Sequence, residues 1–239
     1  MNKYKICVYA ISKNEEQFVD RWMDAVSEAD LVVVTDTGST DRTVEKLRER
    51  GAIVYEEIIS PWRFDTARNI AMDHIPEDVD ICVSNDLDEV FEKGWRQKLE
   101  AAWQPFHTRA RYLFTWSHNP DGTPKKQFPM EKIHKRHGFC WVHPVHEVLE
   151  YSGKEPDRVV WVNGLVLHHY PDPSKPRTQY LPLLELSAKE NPQDDRTIFW
   201  LGREYMYHGM YDQCISTLKR HLDLPSAKWD EERCASMRF

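Results

Sequence analysis

The chain has 239 residues, 41% hydrophobic and 30% charged, with a formal net charge of −7. That length allows one large or two small domains with a sizeable core, and the composition is that of an ordinary globular protein. The acidic balance and the lack of a long basic stripe exclude a general nucleic-acid binder, and no apolar run approaches the roughly 18 residues a membrane span needs.

Met1-Asn2-Lys3-Tyr4-Lys5 leads into a short apolar run, Ile6 to Ile11, too short for a signal peptide. The five cysteines (Cys7, Cys82, Cys140, Cys214 and Cys234) are scattered without CxxC spacing. Free thiols and a cytoplasmic chain are therefore expected. Residues 4–11 read as a strand, and 15–28 as a helix with Phe18, Trp22, Ala25 and Val26 on one face. Residues 31–35 are a nearly continuous apolar run, as for a strand buried on both faces. The turn Asp36-Thr37-Gly38-Ser39-Thr40-Asp41 hands over to a helix carrying Val44 and Leu47. A third strand over 52–57, a short helix over 65–74 and a fourth strand over 79–84 complete the alternation. This order predicts an α/β fold with a mostly parallel sheet and helices on both faces. Ligands bind such sheets at the carboxyl ends of the strands, and Asn14, Asp36 and Asp86 all fall just past strand ends.

The fourth strand runs into Ser84-Asn85-Asp86-Leu87-Asp88-Glu89, three carboxylates within four residues. Asp86 and Asp88 straddle one residue, so at a strand end their carboxylates can reach one point. Like charges that close repel unless a cation sits between them, and a hard cation such as Mg²⁺ or Mn²⁺ suits all-oxygen ligands. An acidic helix N-terminus, with Asp88 and Glu89 complementing the macrodipole, would show the same residues.

Beyond it, 92–103 reads as a helix, 111–117 as extended, and 119–129 as a loop marked by Pro120, Asp121-Gly122, Pro124 and Pro129. Residues 141–151 and 158–170 are strand-rich. After Pro171-Asp172-Pro173 and Pro176 the pattern changes to helices only, over 179–189, 194–207, 211–222 and from 227 onward. Two domains are therefore expected, 1–175 and 176–239. In the second, Ile198, Leu201-Gly202, Tyr205, Gly209, Tyr211, Leu218 and Pro225 fall close to the tetratricopeptide helix-turn-helix pattern. Gly202 would let two helices approach and Gly209 would make the turn. One such unit cannot bury its own apolar face, so the tail either packs on the first domain or opens a longer array.

Four segments together resemble the GT-A fold, family 2 glycosyltransferases: Ser12-Lys13-Asn14-Glu15-Glu16, Val34 through Thr43, Phe64-Asp65-Thr66-Ala67-Arg68-Asn69, and Asn85-Asp86-Leu87-Asp88-Glu89. The helical tail also resembles the branch in which tetratricopeptide-like helices follow the transferase domain. That branch includes enzymes that glycosylate cysteine or serine in ribosomal peptides such as sublancin. The resemblance implies a GT-A, Rossmann-like domain followed by a helical hairpin segment, and a cytoplasmic, metal-dependent, inverting hexosyltransferase. Its donor would be a nucleotide sugar, UDP-linked, and its cofactor Mn²⁺ or Mg²⁺.

The resemblance also implies residue roles. Asp36 would accept from the N3–H of uracil, a donor cytosine lacks. Arg68 would contact base or diphosphate. Asn14 and Glu15 would flank the nucleotide, although a helix N-cap at Asn14 explains them equally well. Asp86 and Asp88 match the DxD element, Asp88 as the direct metal ligand and Asp86 toward ribose or metal. Leu87 departs from the small residue usual between them. A histidine late in the domain would complete the metal shell, with His169 preferred to His168. In Trp141-Val142-His143-Pro144-Val145-His146-Glu147, Glu147 is the candidate base that deprotonates the acceptor, with His146 as competitor. Trp62, Trp116 and Trp141 lie near loop or strand ends but carry no assigned role. The acceptor is left open between a peptide, a glycan and a lipid-linked sugar. Two other readings stand beside this one: a helical-repeat peptide-binding adaptor with a non-catalytic nucleotide domain, and a nucleotidyltransferase. The absence of a glycine in Ser12–Glu16 speaks against the second.

Overall fold

The computed structural model describes residues 3–173, 175 and 178–239; Met1, Asn2 and Pro176 lie outside the described residues. The chain opens with β1 (Ile6–Ser12), α1 (Val19–Ala25), β2 (Leu31–Asp36), α2 (Thr43–Glu49), β3 (Ile53–Glu56), α3 (Phe64–Asp73) and β4 (Ile81–Ser84). There follow β5 (Glu89–Phe91), α4 (Trp95–Ala102), β6 (Arg109–His118), β7 (Pro124–Lys135), β8 (Phe139–Val142), β9 (Val148–Tyr151) and β10 (Val159–His169). The helices α5 (Tyr180–Glu190), α6 (Asp195–Tyr207), α7 (Tyr211–Asp223) and α8 (Asp230–Arg238) complete it.

Eight strands form one sheet in the order β3-β2-β1-β4-β7-β6-β10-β5, and β8 pairs with β9 in a small second sheet. The β3-β2-β1-β4 half is parallel, so the carboxyl ends of these strands share one edge. β7 pairs antiparallel with both β4 and β6, while β10 runs parallel to β6 and antiparallel to β5. Alternation along β1 shows why the parallel half is apolar throughout. Ile6, Val8 and Ala10 enter one core with Trp22, Val34, Leu47 and Val83. Cys7 and Tyr9 enter the other with Val33, Ala71, Cys82 and Trp141. Both faces are therefore covered, by α1, α2 and α4 on one side and by α3 with the β8-β9 pair on the other.

Three local expectations need correction. The helix expected from Glu15 begins only at Val19; ahead of it the backbone N–H groups of Glu15 and Glu16 donate to the Thr43 hydroxyl and the Asp41 carboxylate. The span 119–129, expected as a loop, is a turn followed by the first half of β7. There β7 has only β6 as a neighbour, since β4 pairs no earlier than Ile133, and a proline without an N–H is tolerated on a strand with one free side. Residues 143–147 are not strand but a loop between β8 and β9, with His143 at φ 76° and His146 at φ 53°.

Contacts divide the chain into two units. The first runs to Val142 and resumes over Val148–Pro173; the second comprises His143–Glu147 and the chain beyond Pro173. In the second unit Phe199, Cys214 and Leu218 form a small core. A Cβ at Gly202 would come within 2.4 Å of the Leu218 side chain, so only glycine permits this approach of α6 to α7.

A buried polar chain ties β1 to β7 and β8. Trp141 Nε1–H donates to the Tyr9 hydroxyl at 3.0 Å, and that hydroxyl lies 2.9 Å from His134 Nε2. His134 Nδ1 stands 2.7 Å from the Lys135 carbonyl. A carbonyl only accepts, so Nδ1 carries the proton and Nε2 accepts from Tyr9. Burial keeps His134 neutral, pushing it down to about 4. A histidine depressed in the folded state contributes stability above its unfolded pKa and loses it as pH falls toward the folded one. The chain is expected to lose about 3 kcal/mol between pH 7 and pH 4 through this group. The check is an NMR titration of the His134 ring together with denaturant unfolding at both pH values; a ring that titrates near 6.5 contradicts the account.

Candidate active site

Two turns meet at the carboxyl ends of β1 and β2. Asn14 adopts a left-handed conformation (φ 53°), which asparagine tolerates better than most residues. Its side-chain oxygen accepts from Thr40 N–H at 2.7 Å, while its own N–H donates to Ser39 Oγ at 2.8 Å. Since α1 is capped at Phe18, Asn14 is no helix N-cap. Glu15 is buried beside it. Asp36 ends β2 and is 2% exposed. One carboxylate oxygen accepts from the N–H groups of Gly38 and Ser39, the other from the hydroxyls of Ser12 and Ser39. Gly38 turns the chain here at φ 103°.

The acidic motif lies just beyond β4, on the other side of β1 from the Asp36 turn. No helix starts there: Glu89 opens β5, and α4 begins only at Trp95. Leu87 is fully buried in the main core. A large residue between Asp86 and Asp88 is thus an inward anchor for the motif. Asn85, also fully buried, accepts from Trp22 Nε1–H at 2.7 Å.

The two aspartates differ in their partners. Asp86 receives a bidentate pair from Arg68, at 2.8 and 3.0 Å, and Lys132 Nζ at 3.2 Å. Burial works against ionising Asp86, but Arg68 and Lys132 override it and hold the carboxyl far below the usual range. Lys132 also reaches Glu89 at 3.1 Å. Burial, followed by the charges of Asp86 and Asp88 against that of Lys132, leaves Glu89 raised. The carboxylates flanking Lys132 hold its ammonium charged despite burial. Arg68 also lies over the Trp141 ring, 5.0 Å from its centroid.

Asp88 faces His169, with Nε2 3.3 Å from the carboxylate. The other ring nitrogen, Nδ1, is 3.2 Å from the Trp116 carbonyl, so Nδ1 carries a proton and donates it there. Nε2 and the Asp88 oxygen then oppose each other as two acceptors unless a proton or a cation lies between them. Burial disfavours the charged ring, yet Asp88 overrides it and raises His169 above its ordinary value. Trp116, 47% exposed, stacks on the same ring with centroids 4.6 Å apart. His168 points elsewhere, to Glu92 at 3.2 Å and His118 at 3.0 Å.

Among the sequence candidates, Arg68, Asp86, Asp88 and His169 gather around this motif, with Asn14, Glu15 and Asp36 on the adjoining turns. Glu147 and His146 fall in the second unit. There His146 stacks on Trp200 at 4.3 Å, and its carbonyl accepts from Arg196 at 2.7 Å. The sequence carries no local signal for Lys132, a lone lysine beside an expected loop, and marks Trp116 only as one of several tryptophans near loop or strand ends.

The Glycosyl transferase family 2 model matches residues 7–151, which spans β1 through β9 and includes every turn just described. The chain belongs to glycosyltransferase family 2. Among solved structures, S. aureus TarS aligns over 95% of this chain and 50% of its own, with TM-score 0.57 and 15% identity. The crystal structure of TarS 1–349 aligns over 92% and 81%, with TM-score 0.52 and 14% identity. A mycobacterial protein aligns over 72% and 69%, with TM-score 0.50 and 17% identity. These likenesses establish the GT-A-like α/β fold, and the family 2 chain spans about half the length of TarS. No curated protein sequence matches it. Among the described residues no helix is long and apolar enough to cross a membrane.

Proposed function

We propose that this family 2 chain is a metal-dependent, inverting glycosyltransferase using a UDP-linked sugar. The observation that carries the reading is Asp88 facing the acceptor nitrogen of His169, whose other nitrogen is committed to the Trp116 carbonyl. A carboxylate and a neutral imidazole nitrogen fit a divalent cation such as Mn²⁺ or Mg²⁺, and the carbonyl contact is the kind of outer-shell bond that orients a metal-ligating histidine. Asp86 fits that role less well, because Arg68 and Lys132 occupy its oxygens. Its part is to hold two cations beside the site, where they favour a diphosphate. A bound metal ion would supply positive charge against the departing diphosphate.

The donor nucleotide would lie over the Asn14–Glu15 and Asp36–Asp41 turns. Asp36 would accept from uracil N3–H, with the Ser39 hydroxyl turning away to release the oxygen it now occupies. Glu147 is proposed as the base: it takes the proton of the acceptor nucleophile as that atom attacks the anomeric carbon. The carbon–oxygen bond to the diphosphate breaks, and its electron pair leaves with UDP. His146 is the weaker candidate, since its ring is packed against Trp200 and Tyr180. The acceptor is a hydroxyl or thiol on a peptide, glycan or lipid-linked sugar, and the helical segment is read as tetratricopeptide-like. Calorimetry of UDP and CDP with Mn²⁺ tests the nucleotide assignment. UDP is expected to bind 1–3 kcal/mol more tightly, about the cost of an unmade bond to a buried charge; equal affinities would overturn the uracil contact.

A further inference from the structure

The buried residues of helix α8 are both polar, Glu232 and Ser236, and its apolar contact with the core of its own unit is a single partly buried alanine, Ala235. These lie one helical turn apart, on one face, and Ser236 meets His221 of α7. Ser236 Oγ is 2.9 Å from His221 Nδ1. The ligating atoms of Asp195 (the first residue of α6), His221 and Glu232 all lie within 4.8 Å of one another. His221 is 1% exposed, and its Nε2 has no hydrogen-bond partner. A buried imidazole nitrogen without a partner is costly, and the His221 ring is grouped with two carboxylates.

Arg196 and Arg203 lie close enough to act on Glu232 through their charge, but their directed contacts go to other groups. Arg196 donates to the His146 carbonyl, Arg233 to the carbonyls of Leu222 and Ala227, and Arg203 lies over the Trp200 ring. We infer that Asp195, His221 and Glu232 form a binding site for one divalent cation of the zinc type, which pins α8 to α6 and α7. One imidazole nitrogen and two carboxylate oxygens are a zinc-type donor set, leaving a fourth position for water. Ligands at zinc distances in a tetrahedron stand about 3.4 Å apart, so the three groups need to close by roughly an ångström. The Ser236 contact supplies the outer-shell bond that fixes the imidazole with Nε2 toward the metal. This site is separate from the pairing of Asp88 with His169 and serves stability rather than transfer.

The test uses the full chain carrying Asp88→Asn, which removes the competing metal position. After chelation and dialysis it is titrated with ZnCl₂ by calorimetry. One tightly bound equivalent is expected, accompanied by a rise in the thermal midpoint. Adding Glu232→Gln should weaken that binding at least tenfold while leaving far-ultraviolet dichroism unchanged. Should that variant fail to fold, ¹⁵N-histidine spectra of the unmodified chain give the same answer, with the His221 Nε2 signal moving on one equivalent of Zn²⁺. Equal zinc affinity with and without Glu232→Gln, or an unmoved His221 signal, overturns the inference.

Discussion

Asp88→Asn is expected to reduce Mn²⁺-stimulated UDP release by roughly 10²–10³, the several kcal/mol that a metal contributes against a developing diphosphate charge. The substitution keeps shape and removes only the charge facing His169. The fold should survive, because the Asp88 carboxylate pairs with a half-buried imidazole and not with a buried arginine or lysine. Asp86→Asn is the contrast. It strips the charge that Arg68 and Lys132 share, and breaking a buried pair costs about 3–5 kcal/mol, so its primary effect should be on stability. Steady-state rates over a Mn²⁺ series, with unfolding midpoints for both variants, separate the two. An Asp88→Asn chain with unaltered metal-dependent turnover contradicts the metal assignment.

Glu147→Gln should leave donor binding nearly intact while lowering transfer to a hydroxyl acceptor by roughly 10²–10⁴, the contribution of a positioned base. Slow donor hydrolysis should persist, because removing the base does not touch Asp88 or Asp86. A thiol acceptor should suffer less, since a thiol ionises near pH ~8.5 and needs less help than a hydroxyl. Parallel rates for the two acceptor types decide the matter. Undiminished hydroxyl transfer by Glu147→Gln, with a crippled His146→Ala, would move the role to the imidazole.

Much of this molecule is legible in its residues, and the reasons are local. The apolar runs of β1, β2 and β4 announce strands buried on both faces, and alternation along β1 feeds two cores. Asn14, Asp36 and Asp86 stand just past strand ends in the sequence, and parallel pairing of β1 with β2 and β4 brings those ends side by side. What sequence could not reveal depends on partners distant along the chain. Lys132 lies 46 residues from Asp86 and reaches it from β7, a strand whose prolines read as loop. The 143–147 segment, strand-like in its residues, leaves the sheet through two left-handed histidines. Arg68 is held by Asp86, a pairing that only the folded chain brings about. His168 and His169, indistinguishable by composition, are separated by strand alternation, which sends one to Glu92 and the other to Asp88.

The most direct test of nucleotide-sugar transfer is UDP release from a panel of UDP-sugars by the purified, unmodified chain, measured with Mn²⁺ and again with chelator. The account predicts release from at least one donor with Mn²⁺ and its collapse when the metal is withdrawn. Release that is indifferent to chelator, or pyrophosphate as the product in place of UDP, would contradict it.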